Sequence, residues 1–248
     1  MNIAVLVKLV PDTQAVLKIG EDHRHIATAD LNFVLNPYDE YAVEEALQIR
    51  EREGGKVTVF SLGGDEAVKA LRNAIAMGAD EGVHLRSPVG LDVPGTSKAL
   101  AHTLKDGNWD LILTGKQAVD NDCAAVGPMV AELLGIPHVS KVTKLEISGG
   151  KATAHREIES GIEVFEVDLP VLITAEKGLN EPRYASLKGI MMAKRKQIET
   201  VEVEQTPAKV EILKLEYPPA RPPGRIVGEG VEAVPELVRL LKEEAKVI

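Results

Sequence analysis

A single cysteine, Cys123, among 248 residues excludes an internal disulfide and any multi-cysteine metal site. Aromatic residues are almost as scarce, at 3%, so a core must be assembled from Val, Leu, Ile and Ala. No apolar run approaches the roughly 20 residues needed to cross a bilayer. The opening MNIAVLVKLVP is too short and too strand-like for a secretory signal. Cations are in deficit: 29 Lys and Arg against 38 Asp and Glu leave a formal net charge of −9. That balance disfavours a nucleic-acid backbone as the main partner, because such binding needs clustered cations. Catalytic signatures are missing as well. The histidines show no H-E-x-x-H spacing, and there is neither a G-x-S-x-G elbow nor a Walker-type phosphate loop. The HRH at 23–25 suits a solvated loop better than a metal site. The expectation is a cytoplasmic or mitochondrial-matrix protein without bond-making catalysis of its own.

What is present is alternation. Near-continuous apolar runs at 3–10, 56–63, 82–85 and 109–115 read as buried parallel strands. Helical patterns lie between them. Over 38–53, Ala42, Ala46 and Ile49 form a stripe with the acids expected largely on the other side. Over 65–80, Val68, Leu71 and Ile75 keep helical spacing, Asp65 is placed to cap, and Gly78 follows the end. Residues 91–107 give a third helix with a loop-like start. Strand–helix alternation predicts an α/β fold with a doubly wound, mostly parallel sheet. The first strand lacks G-x-G-x-x-G, which disfavours a standard dinucleotide site at its end. After residue 137 the pattern alternates at period two, and Gly149-Gly150 marks a hairpin, so an antiparallel extension is expected. Residues 176–189 read as a loop leading into a short basic helix. A proline-rich arm at 216–225 and a C-terminal amphipathic helix close the chain, giving expected divisions at 1–215 and 216–248.

Three stretches carry candidate chemistry. In LTGKQAVDNDCAAVGP the strand ending at Gly115 meets a helix whose first turn must fall near 124–127, because Pro128 cannot lie deep inside it. Free N–H groups beside Ala124, Ala125 and Gly127 suit a phosphate. Asp120 and Asp122 would serve a ribose or an adenine amino group instead, or simply cap the helix. Asn36-Pro37, in LNPYDEYAVEEA, either faces a ligand or merely enters a helix. In LNEPRYASLKGIMMAKRK (179–196) an acidic chain gathers Arg183, Lys188, Lys194, Arg195 and Lys196 around Leu187 and Met191-Met192. That mixture suits docking to an acidic partner surface, or a plain solvated helix.

At these segments, and at VLVKLVPD, AIAMGAD and REIESGIEV, the sequence resembles the beta subunit of electron-transfer flavoprotein across nearly the whole chain. The resemblance implies a heterodimer with an alpha subunit. It implies a redox FAD at the interface, held mainly by alpha, and a structural AMP buried in beta. Its electron donors would be acyl-CoA-type dehydrogenases of fatty acid oxidation, and its acceptor a quinone-linked oxidoreductase. Carried over, the AMP pocket falls on Leu6, Asn36, Pro37, Tyr38, Asp39 and Leu62. It continues through Gly115, Lys116, Gln117, Ala118, Val119, Asp120, Asn121, Asp122, Cys123, Ala124, Ala125 and Val126. Docking falls on Arg183, Tyr184, Leu187, Lys188, Met191, Lys194 and Lys196, with Leu187 as anchor. One departure stands out: Ala124 and Val126 occupy positions where AMP-binding members often carry Asn and Thr. AVGP looks more like bifurcating relatives, in which a second FAD replaces AMP. A stand-alone adenine-nucleotide module and a structural interaction protein are the other readings.

Overall fold

The computed structural model describes residues 1–248 apart from 88–89, 205–206 and 222, so Pro222 of the expected arm lies outside the described residues. Two units are distinguished, Met1–Leu213 and Lys214–Ile248.

The first unit follows the expected alternation. Strand β1 (Asn2–Leu6) is followed by the short β2 (Leu9–Pro11) and β3 (Phe33–Leu35), then by α1 (Pro37–Glu53) and β4 (Lys56–Gly63). Helix α2 (Val68–Met77), β5 (Glu81–Arg86), α3 (Val93–Leu104), β6 (Leu111–Gly115) and α4 (Val126–Leu134) continue the pattern. A meander of β7 (His138–Ser148), β8 (Lys151–Ile158) and β9 (Gly161–Asp168) precedes β10 (Val171–Ala175), α5 (Leu187–Arg195) and β11 (Glu199–Glu202). Among the described residues nine strands form one sheet, in the order β11-β5-β4-β1-β6-β10-β7-β8-β9. Every pairing from β11 to β7 is parallel, and β7-β8-β9 are antiparallel. This is the predicted doubly wound sheet with its antiparallel extension. Gly149 (φ 58°) and Gly150 (φ 80°) make the β7–β8 turn, as their spacing predicts.

The sheet is covered on both faces. Ala42, Ala46 and Ile49 of α1, with Leu71, Ala74 and Ile75 of α2, pack on Val5, Val59 and Leu113. On the opposite face Leu100 and Leu104 of α3 and Val130 of α4 cover Ala4, Phe60 and Ile112. Burial on both faces explains why the central strands read as unbroken apolar runs.

Four local expectations are corrected. The run 3–10 is not one strand: it leaves the main sheet after Leu6, and β2 pairs with β3 in a small separate ribbon. The cause is Lys8, whose N–H is taken at 2.7 Å by a carboxylate oxygen of Asp39 instead of a neighbouring strand. Asp65 does not cap α2. It opens a 3-10 turn and pairs with Arg86 at 2.9 Å. The acids of α1 are not all on its outer face, since Asp39, Glu44 and Glu45 are buried. Finally, the basic helix starts earlier than the loop reading implied. Ser186 accepts a hydrogen bond from the Gly189 N–H at 3.0 Å, so α5 begins at Leu187.

In the second unit a 3-10 turn at Val231–Ala233 leads into α6 (Val234–Glu243). Pro235 stands in the first turn of α6, and Arg239 bridges Glu236 and Glu243 along it.

Candidate functional site

β1 leads through α1 to β4, on one side of it in the sheet, whereas β6 enters on the other side. The strand order therefore reverses between β1 and β6, and a crevice beyond their carboxyl ends is where such sheets receive ligands. A cavity of about 420 Å³ lies there. That volume falls within the range of roughly 300–1,000 Å³ usual for small-molecule sites. Leu6 ends β1, Phe60 and Leu62 come from β4, and Thr114 and Gly115 end β6.

The cavity has two kinds of wall. One is apolar, from Leu6, Phe33, Phe60, Leu62, Leu91 and Leu100. The other is bare backbone at the start of α4, where Ala124, Ala125, Val126 and Gly127 line the space. Among the described residues no side chain caps this helix, whose N-cap is Ala125. The first-turn N–H groups of Val126 and Gly127 have no intrahelical acceptor, and Pro128 contributes none. The neighbouring α3 differs, because Asp92 accepts from the Gly95 N–H at 2.9 Å and closes that end. Of the two helix starts, the one at α4 thus leaves its N–H groups open toward the cavity.

Gly127 permits this arrangement. A Cβ there would stand 2.9 Å from the Thr174 methyl carbon and 3.1 Å from that of Thr114. The approach to α4 is itself unusual: Asp122 (φ 49°) and Ala124 (φ 50°) are both left-handed. Asp tolerates that conformation through its short polar side chain, whereas Ala has no such relief.

Beneath the cavity, α1 braces the loop that carries these residues. Asn36 is buried; its Nδ2 donates to the Gln117 carbonyl at 2.9 Å and its Oδ1 accepts from the Val119 N–H at 3.1 Å. Asn36 lines the cavity, but both ends of its amide hold the loop in place. Asp39 likewise spans two strand ends. Its oxygens accept from the Lys8 N–H at 2.7 Å and the Gly115 N–H at 3.0 Å. Gly115 is required by this contact, since a Cβ would fall 2.5 Å from Asp39 Oδ1 and 2.6 Å from the backbone carbon of Tyr38. The glycine serves close packing rather than a left-handed turn.

Burial pushes the Asp39 carboxyl up to about 7, although Asn36 and the Lys8 and Gly115 N–H groups pull the other way. The folded chain then holds this proton more tightly than the unfolded chain. The associated stability is complete below about pH 4 and is lost as pH rises through about 7. Asp39→Asn should flatten that dependence. Melting curves between about pH 5 and pH 8 check it, and parallel curves for both proteins would refute it.

The predicted residues divide cleanly. Leu6, Asn36, Asp39, Leu62, Gly115, Lys116, Gln117, Ala118, Asn121, Cys123, Ala124, Ala125 and Val126 line the cavity. Pro37, Tyr38, Val119, Asp120 and Asp122 do not line it. Asp120 is engaged by Lys8 Nζ at 2.6 and 2.8 Å, and Asp122 accepts from Gln117 Nε2 at 2.5 Å. Neither acid caps α4. Tyr38 underlies Lys116, whose Nζ is 4.7 Å from the ring centroid and 2.6 Å from Glu176. The apolar residues Phe33, Leu91 and Leu100 escaped sequence reasoning because lone apolar side chains in loops and helices look like ordinary core.

The other predicted cluster is on the surface. Tyr184 is 99% exposed and Leu187 83%, with Met191 and Met192 also exposed. Lys188 and Lys194 are exposed on the same short helix, and Lys196 follows it. Arg183 behaves differently, turning inward to Glu44 and Glu51. Among the described residues no group of acids, histidines and cysteine could hold a metal ion, and no helix is long and apolar enough to cross a membrane.

Residues 24–206 match the family model for the electron transfer flavoprotein domain. Electron transfer flavoprotein subunit beta of Bacillus subtilis (strain 168) is 43% identical, with all of both chains aligned. The subunit of the same name from Syntrophomonas wolfei is 41% identical over all of this chain and 99% of its own. The mitochondrial beta subunit of Arabidopsis thaliana is 39% identical over the whole of both.

Proposed function

Because the chain belongs to the electron transfer flavoprotein family, we propose that it works as a beta subunit which buries an adenine nucleotide and docks electron-donating dehydrogenases. In this reading it pairs with an alpha subunit, and the FAD held between them accepts electrons and passes them on. The flavin supplies the redox chemistry; this chain supplies folding, shape and docking. Its donors are acyl-CoA-type dehydrogenases and its acceptor a quinone-linked oxidoreductase.

The observation that carries the nucleotide half is the pairing of walls in the crevice between β1 and β6. Apolar side chains at one end suit an adenine ring, and the uncapped start of α4 suits a phosphate. The residues present fit AMP. The N–H groups of Val126 and Gly127 would hold its phosphate; Lys8 and Lys116 also line the cavity, each already paired, with Asp120 and Glu176. With Ala124 and Val126 in place of polar side chains, backbone alone would grip the anion. A second FAD is the competing occupant, favoured by the AVGP sequence at 125–128.

Acid release and chromatography of the ligand carried by the purified chain distinguish these. AMP is expected at close to one per chain. FAD in its place would establish the bifurcating type, and finding no nucleotide would remove this half of the proposal.

A further inference from the structure

Arg183 lies four residues before the exposed Leu187, yet its guanidinium points away from solvent partners and into α1. Its Nε donates to Glu44 Oε2 at 2.8 Å and its Nη2 to Glu44 Oε1 at 3.0 Å, a two-pronged grip on one carboxylate. Nη1 and Nη2 reach the two oxygens of Glu51 at 2.6 and 3.2 Å. The Arg183 backbone N–H also donates to Glu44, at 3.1 Å. Glu44 is almost wholly buried, and burial would raise its carboxyl; hydrogen bonds from Arg183 and Gln48 overcome this and hold it below its usual value. Three residues upstream, Asn180 Nδ2 donates to the Tyr41 carbonyl and to Glu45, each at 3.0 Å. Tyr41, Glu44, Glu45, Gln48 and Glu51 share one side of α1, which binds the loop at successive turns.

We propose that Arg183 is a positioning residue that fastens the 176–186 loop to α1, so that Tyr184 and Leu187 are presented to a dehydrogenase in one fixed arrangement. The proposal rests on the docking reading above, and it moves Arg183 from the contact surface to the support beneath it. A planar guanidinium can serve two carboxylates and fix direction at once, which a lysine ammonium cannot. A segment ordered in advance loses less freedom on binding, so the benefit appears in association rather than in the electron-transfer step. Tyr184, the next residue, is almost entirely in solvent.

The test uses the co-expressed heterodimer carrying Arg183→Lys, and separately the pair Glu44→Gln with Arg183→Gln. The pair guards against misfolding, because removing Arg183 alone strands a buried carboxylate. Hydrogen exchange across 179–189 should quicken at least tenfold in both proteins. KM for the dehydrogenase should rise about tenfold, while kcat, flavin content and bound nucleotide stay unchanged. Exchange at the parental rate would overturn the proposal. So would a rise in KM without faster exchange, which would make Arg183 a contact residue. Leu187→Ala in the same assay separates the two readings. An unchanged KM there would remove the docking premise, whereas unchanged exchange in the Arg183 variants would remove only the fastening.

Discussion

Leu187→Ala should cut electron transfer with acyl-CoA-type dehydrogenases by roughly thirtyfold while leaving the protein folded and its ligands bound. An anchor side chain that fills a partner's pocket typically costs about 2 kcal/mol or more on truncation. In the isolated chain the same leucine is 83% exposed at the first position of α5. Truncating a solvated residue that makes no core contact changes folding stability by at most about 0.5 kcal/mol. The two effects therefore differ by a wide margin in one variant. Neutralising Lys194 and Lys196 should act through the encounter rate, and that effect should fade as salt rises. The measurement is steady-state electron transfer beside thermal melting on the same preparations. A large drop in melting temperature, or loss of nucleotide, would show that Leu187 supports the fold and is not a docking anchor.

Gly115→Ala should have the opposite profile, disrupting the crevice and the fold together. The new methyl carbon would lie 2.5 Å from Asp39 Oδ1 and 2.6 Å from both the backbone carbon and the Cβ of Tyr38. None of these can swing aside, since Asp39 is buried and Tyr38 is in the first turn of α1. Overpacking of this kind costs typically about 1–3 kcal/mol. For a domain of this size each kcal/mol lowers the melting temperature by about 2–4 °C. Relief requires α1 to retreat, which breaks the Asp39 bonds to Lys8 and Gly115 and loosens the Asn36 braces on residues 117 and 119. The nucleotide content should therefore fall by at least tenfold. Gly64→Ala provides the stability contrast, because a Cβ at Gly64 meets nothing within 4 Å. Equal melting temperatures for the two variants would show that α1 yields without cost and that Gly115 is not a packing requirement.

Both outcomes turn on features that the sequence displays unevenly. The α/β class, the parallel sheet, the 148–151 hairpin and the place of the crevice were legible, because burial on two faces writes continuous apolar runs and Gly-Gly writes a tight turn. The end of β1 was not. Nothing in VLVKLVP announces that Asp39, more than thirty residues on, takes the Lys8 N–H and turns the chain out of the sheet. For the same reason the buried acids of α1 could not be read from its apolar stripe. Glu44 is inside because Arg183 neutralises it from 139 positions away. Charged side chains signal solvent in a local pattern, and only the tertiary partner reverses that meaning. The end of the loop before α5 was not legible either, because a single serine hydroxyl caps the helix three residues sooner than composition suggests.

The sheet also ends in an open strand. β9 has β8 as its neighbour on one side, and among the described residues no strand pairs with its other edge. Ile162 and Val164 are exposed on it, which alone would make it a template for sheet growth. Glu163 stands between them, and Glu166 and Asp168 continue the face that Ile162 and Val164 begin. Glu163 is paired with Arg156 at 2.6 Å and Glu166 with Lys151 at 2.5 Å, both cations standing on β8. Charged side chains along an edge strand keep it solvated and blunt its pairing with another edge, so the two apolar residues are exposed without making β9 a free template.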